Sequence, residues 1–210
     1  MTPKFAQAID PVMLHVLGLL ERINRDERAS PSDARLRIRA LIDQAEAFLG
    51  ASEQWALAKY ALASWTDEML VDAPWDGRDW WSNNVLEMEL FSSRECYDRF
   101  YVLAKEASTL PNRDALEVFY ICVVLGFRGL YRDPEFSQQT IQALGLPPDV
   151  EAWARQAAMA VRLGQGRPQI SGKKRDLAGA PPLRARYVAL WSTLALAMAG
   201  TVSAVMLYFW

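Results

Sequence analysis

The last 23 residues of the chain contain no charged side chain, and they constrain its fold more than any other feature. At about 1.5 Å per residue, a helix of this length spans the roughly 30 Å hydrocarbon core of a bilayer. Trp191 lies near its start and Tyr208, Phe209 and Trp210 lie at its end, where amphipathic rings favour the membrane interfaces. The sequence therefore predicts one transmembrane helix over residues 188–210.

Charge is distributed unevenly along the rest of the chain. Residues 164–187 hold six Lys and Arg against one Asp, so their charge is +5, which leaves −7 for residues 1–163 of the net −2. Their Gly, Pro and charge content predicts a stalk that is attracted to anionic inner-leaflet lipid. The basic flank also predicts that residues 1–187 lie in the cytoplasm. The acidic domain argues against nucleic-acid binding.

Residues 1–163 show helical periodicity throughout, without a convincing strand, and are expected to form one cytoplasmic domain of about eight helices. Most of the helices have a capping residue or a proline at the start. The predicted starts are Asp10-Pro11, Ser30-Pro31, Ser52, about Trp80, about Ser93, Asp114, Asp133-Pro134 and about Asp149. The fourth helix is expected to run from about Trp80 to Phe91. The predicted fold class is therefore all-α.

Two segments and the tail together resemble a known family. ASWTDEMLVDAPWDGRD at 63–79 carries the acidic pair Asp67-Glu68 and a turn with Trp75, and ALEVFYICVVLGFRGLYR at 115–132 follows it. In this order, with a C-terminal span, they are similar to the TssL/DotU (IcmH) family of inner-membrane subunits of type VI and type IVB secretion systems. Where many relatives carry a Gly-Gly pair before the fifth helix, this chain has Ser92-Ser93.

The resemblance implies a fold, a location and partners. It implies a helical domain of two packed bundles, anchored in the bacterial inner membrane with the C-terminus at the periplasmic face. It also implies a TssM/IcmF-like membrane partner and TssK/TssE-like baseplate subunits. Because nothing follows the span in this sequence, any grip on the cell wall is expected to come from a partner.

The acidic pair is the strongest candidate for a functional site. Asp67 and Glu68, with Asp72, Trp75 and Asp76 nearby, could form an acidic surface for a basic partner, or could brace the following loop. Adjacent helical residues point about 100° apart, so the pair is badly placed for shared acid–base catalysis. Docking and bracing both remain open from the sequence.

A second candidate group lies just beyond the apolar sixth helix, at Arg128, Tyr131 and Arg132. An arginine here that pairs with Asp67 or Glu68 would tie the two family segments together. The alternative is a surface arginine that contacts a partner. The structural interpretation is favoured.

Other residues give no indication of an enzyme, a metal site or a cofactor. His15 lies on an apolar face with no second histidine, and Cys96 and Cys122 lack metal-ligand spacing. The GQGRP stretch at 164–168 follows a helix and does not open one, as phosphate binding would require. We therefore expect a non-enzymatic protein without a metal or cofactor.

The tail itself carries small residues at helical spacing. Small side chains repeated at three- and four-residue intervals let two membrane helices approach closely. The predicted dimer face consists of Ala195, Ala199, Gly200 and Ser203. Homodimerisation through the tail is a hypothesis, because Ala and Gly are common in such helices anyway.

The sequence thus predicts a structural subunit of a type VI inner-membrane complex that joins the IcmF-like partner to the baseplate. One alternative is the equivalent role in a type IVB system, which gene neighbourhood would distinguish. Another is a tail-anchored hydrolase in which Asp67, Glu68 and Asp72 bind a divalent metal.

Overall fold

The computed structural model of the chain describes residues 1–164 and 185–208. Within these ranges it contains ten α-helices and one 3-10 turn, and no strand, so the predicted all-α fold class is confirmed. The helices are α1 Pro3–Asn24, α2 Pro31–Leu49, α3 Glu53–Asp72, α4 Arg78–Asn83, α5 Leu86–Phe91, α6 Cys96–Ala107, α7 Asp114–Val124, α8 Pro134–Ala143, α9 Val150–Gly164 and α10 Ala185–Tyr208, with the 3-10 turn at Gly129–Arg132. Most of the predicted stalk, from 165 to 184, lies outside the described residues.

The predicted helix starts at the two serines are confirmed by their hydrogen bonds. Ser30 Oγ accepts from the amide of Asp33, at 3.4 Å, and Ser52 Oγ accepts from the amide of Trp55, at 3.2 Å. Gly50 follows α2 with a φ of +79°, a backbone conformation that favours glycine. Each of these contacts is local, which explains why the sequence alone predicts it.

The predicted start of α1 at Asp10-Pro11 is wrong. Thr2 caps the helix by accepting from the amide of Phe5, and Pro11 lies inside α1. Proline lacks the amide hydrogen and weakens a helix interior. The buried side of α1 nevertheless begins at Phe5, before the proline, so packing along the whole length outweighs the local break.

Helix α3 is the central element of the domain. It packs against α1 and α2 on one side and against α6 and α7 on the other, and α9 covers α7. Trp55, Ala58 and Trp65 on α3 are fully buried, as expected for a helix surrounded by others. The buried apolar side chains of α1 and α2 form one cluster with those of α6, α7 and α9. Helix α3 is therefore shared by the two predicted bundles.

Buried aromatic rings fix the segment that follows α7. Phe127 stacks on Phe100 of α6 with ring centroids 3.9 Å apart, and Phe100 also contacts Phe119 at 4.8 Å. Tyr101 packs edge-on against Trp153 of α9 at 5.3 Å. These contacts position the 3-10 turn beside the end of α3.

Helix α10 is the only helix of the described residues that is long and apolar enough to cross a membrane, over Leu190–Leu207. The side chains described there, including Trp191, are exposed, as lipid contact would require. Length and composition alone therefore agree with the predicted C-terminal span.

Candidate interaction site at the end of helix α3

The two family segments meet at the C-terminal end of α3. Helix α3 contacts both short helices α4 and α5 and the helix α6, which in turn contacts the 3-10 turn. Asp67 and Glu68 project from α3 towards different neighbours, as their angular separation predicts. We call the segment from α4 to the end of α5, residues 78–91, the α4–α5 segment.

Asp67 binds the α4–α5 segment. Its carboxylate accepts from Trp81 Nε1 at 2.9 Å, from the amide of Leu86 at 2.8 Å and from the amide of Glu87 at 2.9 Å. Because Leu86 and Glu87 direct their amides to Asp67, the single helix predicted from about Trp80 to Phe91 is interrupted between α4 and α5. That prediction is therefore corrected to two short helices.

The Asp67 carboxyl is only 3% exposed and has no described cationic partner. Burial raises its pKa from the usual 3.8 to about 6, against the lowering effect of its three hydrogen bonds. The neighbouring charge of Glu87 raises it further. Asp67 is thus a buried acceptor that holds backbone and indole donors in place.

Glu87 is a second buried carboxylate, 1% exposed, and no sequence pattern singles it out. It accepts from the hydroxyl of Tyr60 at 2.6 Å and from the amides of Glu95 and Cys96 at 3.0 and 3.2 Å. Glutamate in the first turn of a helix is common on the surface, so its position carries no signal of burial. Asp67 and Glu87 together attach α5 to α3 and to the start of α6.

The turn before α6 keeps a glycine-like backbone without glycine. Ser92, which follows α5, has a φ of +52°. This left-handed conformation costs a residue with a β-carbon about 1–2 kcal/mol. After this turn, the amides of Glu95 and Cys96 donate to the carboxylate of Glu87 and so attach the start of α6 to α5.

Glu68 binds the second family segment. Its carboxylate accepts from the amide of Arg128 at 2.7 Å and from the amide of Gly129 at 3.1 Å, and it lies 3.1 Å from Arg132 Nη2. Gly129 has a φ of +49°, and a β-carbon there would lie 2.7 Å from the carbonyl oxygen of Tyr97. Only glycine therefore fits this position without displacing backbone.

Arg132 completes the connection by pairing with a second carboxylate of α3. Its Nη1 donates to Asp72 Oδ1 at 2.8 Å, and its Nη2 contacts Asp72 Oδ2 as well as Glu68. These charged hydrogen bonds raise the pKa of the guanidinium. We call Glu68, Asp72 and Arg132 the brace.

The remaining candidate residues have separate structural contacts. Arg128 pairs with no acidic side chain that the structure describes; its Nη1 donates to the carbonyl oxygens of Val123 and Phe127 at the end of α7. The hydroxyl of Tyr131 donates to the carbonyl of Pro147 at 2.8 Å.

Next to the brace, the loop between α3 and α4 is closed by a tryptophan. Trp75 Nε1 donates to the carbonyl of Leu70 at 2.8 Å, and the ring of Trp75 lies 6.4 Å from that of Trp81. Asp76 and Asp79 are exposed on this loop and on the first turn of α4. We call residues 75–79 the loop.

Donors of this chain occupy all three carboxylates. Asp67 accepts from three N–H donors, Glu68 from two amides, and Glu68 and Asp72 share the guanidinium of Arg132. Among the residues described, no group of three His, Cys, Asp or Glu side chains could hold a metal ion. The site can support a loop and present charge, and its geometry does not assemble a nucleophile with a base.

The fold and the site define a class: an all-helical domain, internally tied by buried carboxylates, on a chain that carries an apolar helix able to span a membrane. Comparison with known proteins identifies the family. The chain belongs to the DotU family of type VI secretion system proteins, whose family model matches residues 4–210. The resemblance drawn from the two segments is thereby confirmed.

A solved structure agrees in fold. The cytoplasmic domain of TssL from Acinetobacter baumannii matches with a TM-score of 0.56 at 22% sequence identity, covering 73% of this chain and 96% of that chain. At this identity the likeness concerns the fold alone. A comparison with curated proteins finds no match. Family and apolar tail together fit an inner-membrane protein with a cytoplasmic domain.

Proposed function

We propose that this chain is a structural, non-enzymatic subunit that links a TssM/IcmF-like inner-membrane protein to the TssK/TssE-like baseplate subunits of a type VI secretion system. The observation that carries the proposal is the brace, which ties the loop-bearing end of α3 to the 3-10 turn. A rigid, charged, solvent-exposed loop suits recognition of a basic partner surface.

Charge on the loop supports this assignment. Asp76 and Asp79 are exposed, and neither side chain has a described hydrogen bond or ion pair, whereas Asp67 and Glu68 are committed to internal contacts. A partner would therefore meet Asp76 and Asp79 first, and Asp67 and Glu68 act as supports behind them. We therefore assign docking to Asp76 and Asp79 and bracing to Asp67 and Glu68 as parts of this proposal.

The test is a pulldown of the full chain from solubilised bacterial membranes, analysed by mass spectrometry. Asp76→Lys with Asp79→Lys should lose the baseplate subunits and retain the IcmF-like protein. The matched control, Glu106→Lys with Glu151→Lys, reverses two exposed carboxylates elsewhere and should retain both. Equal recovery of baseplate subunits with both double variants would refute docking through the loop.

The two alternatives receive less support. The family description names type VI secretion, which favours that system over type IVB, and sheath and baseplate genes beside this one would distinguish them. A metal-dependent hydrolase would need Asp67, Glu68 and Asp72 to share a metal ion, but Asp67 is bonded to the α4–α5 segment, while Glu68 and Asp72 share the guanidinium of Arg132. Tight stoichiometric binding of a divalent metal in calorimetry would revive that alternative.

The orientation follows from charge rather than from the fold. The stalk is basic, so we propose that the domain is cytoplasmic and that the C-terminus reaches the periplasmic face. A fluorescent protein fused after Trp210 that folds only in the cytoplasm should stay dark, while the same fusion before Met1 should fluoresce. The opposite pattern would reverse the topology.

We also propose that the tail dimerises. Ala195, Ala199 and Ser203 recur every fourth residue of α10 with exposed side chains, and the hydroxyl of Ser203 is bonded to the carbonyl of Ala199. Ala199→Leu should weaken self-association in a membrane two-hybrid assay. Ala197→Leu adds the same bulk about 200° around the helix and should have no effect. Equal behaviour of the two variants would refute this face.

A further inference from the structure

A cavity of about 150 Å³ opens between α6, α7, α9 and the turn that joins α8 to α9. Most of its wall is apolar and consists of Ala104, Leu116, Leu146, Trp153, Ala157 and Ala160. An apolar cavity of this volume holds a benzene ring. The cavity therefore has room for one aromatic side chain. We call it the α6–α9 cavity.

The walls of the α6–α9 cavity are held in place by contacts on their far sides. Trp153 packs edge-on against Tyr101, with ring centroids 5.3 Å apart. The carbonyl of Pro147, in the turn between α8 and α9, accepts from the hydroxyl of Tyr131 at 2.8 Å. Because the walls are already ordered, an occupant does not have to order them when it binds.

One cation lies at the rim of the cavity. Among the described residues that line it, Lys105 is the only one with a formal charge. Its Nζ donates to the carbonyl of Leu144 at 3.4 Å and forms no ion pair with a described residue. A lysine beside an apolar cavity favours an apolar side chain that has a carboxylate next to it.

Neighbouring carboxylates do not cancel this charge. The exposed carboxylates within two residues of the lining are Glu106, Asp149 and Glu151. Glu106 lies about 100° around α6 from Lys105, and Glu151 lies about 160° around α9 from the tryptophan of the wall. Asp149 accepts from the amide of Ala152 at the start of α9. Lys105 is therefore available to a carboxylate from outside.

The chain itself exposes an aromatic side chain next to a carboxylate, on α8. Phe136 is 86% exposed, more than any other large apolar side chain that the structure describes. The other side of α8 is packed on the domain, because Ile141 and Ser137 are buried and the hydroxyls of Ser137 and Tyr97 are bonded at 2.6 Å. Glu135 is exposed and forms no ion pair with a described residue. Phe136 thus points outward from a fixed helix, with an available carboxylate beside it.

Phe136 and the α6–α9 cavity lie close together on the domain. The turn at 145–147 that forms one wall follows α8, so Phe136 is about nine residues, or about 13 Å along the helix, from that wall. Since Phe136 is exposed, it does not fill the cavity of its own chain. When two copies are related by a two-fold axis, a surface that carries both a side chain and a site for it uses each of them once per copy.

We propose that the domain docks on a second copy of itself, with Phe136 of each chain in the α6–α9 cavity of the other and Glu135 beside Lys105. A second copy is the occupant that this surface itself supplies, since the ring matches the cavity in size and the carboxylate matches the lysine in charge. The contact joins the two helical domains. It is separate from the dimer face proposed for the tail and does not depend on it.

The test is chemical cross-linking of the full chain in bacterial membranes. Two differently tagged copies are produced together, one with Gln139→Cys on α8 and the other with Gln156→Cys at the rim of the cavity. A short bis-maleimide should join the two copies. Gln44→Cys on α2, in place of Gln139→Cys, should give only the background that copies without added cysteines show.

Charge reversal separates a second copy from any other partner. Lys105→Glu in both copies, or Glu135→Lys in both, places like charges together and should lower the cross-linked fraction about fivefold. One copy with Lys105→Glu and the other with Glu135→Lys restores opposite charges in both contacts and should restore the fraction. Glu106→Lys, on the outer side of α6, is the matched control and should not lower it.

Removal of the ring tests the apolar part of the contact. Phe136→Ala in both copies should lower the cross-linked fraction about tenfold, because both cavities of the dimer lose their occupant. Leu36→Ala removes a large exposed apolar side chain from α2 and should have no effect. The substituted side chains are exposed, so circular dichroism should show unaltered folding.

Three outcomes would overturn the proposal. A cross-linked fraction at background, or one that Phe136→Ala leaves unchanged, excludes this contact. Loss with each charge reversal but no recovery when the two are combined shows that Lys105 and Glu135 do not meet across two copies. A fraction that falls with Ala199→Leu in the tail but with none of the domain variants shows that the tail alone brings the copies together.

Discussion

Replacing Asp67 with alanine tests whether a buried carboxylate holds the α4–α5 segment on α3. The change removes the acceptor of three buried donors: the indole of Trp81 and the amides of Leu86 and Glu87. Each buried donor left without an acceptor costs roughly 1–3 kcal/mol, so the free energy of unfolding should fall by about 6 kcal/mol before the removal of the buried charge is counted. Helices α4 and α5 should detach first.

Removing the buried charge offsets part of that loss. The pKa of Asp67 is raised from 3.8 to about 6, and each pKa unit corresponds to about 1.4 kcal/mol, so ionised Asp67 costs the folded state about 3 kcal/mol at neutral pH. The net destabilisation by Asp67→Ala at pH 7 is therefore about 3 kcal/mol.

The size of the effect should depend on pH in a defined direction. Because the folded-state pKa lies above the unfolded value, the stability linked to this group is complete below pH 3.8 and is lost as the pH rises through about 6. Lowering the pH from 7 to 4.5 should therefore stabilise the wild type relative to Asp67→Ala by about 2 kcal/mol.

The measurement is urea unfolding of the full chain in mild detergent, followed by tryptophan fluorescence at several pH values. Asp10→Ala, which removes an exposed carboxylate of α1, is the control and should change the free energy of unfolding only slightly. If the gap between wild type and Asp67→Ala stayed constant or narrowed in acid, the account of a buried, unpaired carboxylate would be wrong.

Three further predictions concern the same region. Gly129→Ala should destabilise the domain by about 3 kcal/mol in urea unfolding, because a β-carbon there would lie 2.7 Å from a backbone oxygen. Gly145→Ala is the control: Gly145 also has a positive φ but has nothing within 4 Å, so the cost should be only about 1 kcal/mol. Equal costs for the two variants would refute the steric argument. Ser92→Gly should stabilise by up to about 1 kcal/mol by relieving a left-handed backbone, and a lower unfolding midpoint would contradict this. A double-mutant cycle on Arg132→Gln and Asp72→Asn should give a coupling below about 1 kcal/mol that falls with salt, since both side chains are half-exposed; a larger, salt-insensitive coupling would contradict it.

Most helices could be predicted because their signals are local. Ser30 and Ser52 cap helices through amides three residues away, and a serine followed by a periodic apolar run is visible in any window of sequence. The start of α1 was missed because a local proline signal at Pro11 was outweighed by burial along the whole helix. Whether a helix tolerates a proline depends on what packs against it.

The candidate site was only partly predictable for the same reason. The sequence indicated that Asp67 and Glu68 point about 100° apart and that one arginine pairs with them, but it did not identify the separate neighbours that the two carboxylates contact. Which arginine does so depends on where the turn at Gly129 directs Arg128 and Arg132. Periodicity does not encode that direction.

The sequence by itself determined the helical class, the apolar tail, the uneven charge and the family segments, because each depends on composition or on neighbours within a few residues. Only the tertiary structure decided that Asp67 and Glu87 are buried together and that one predicted helix is two. Burial and pairing are properties of residues that are distant in sequence and become neighbours only when the helices pack.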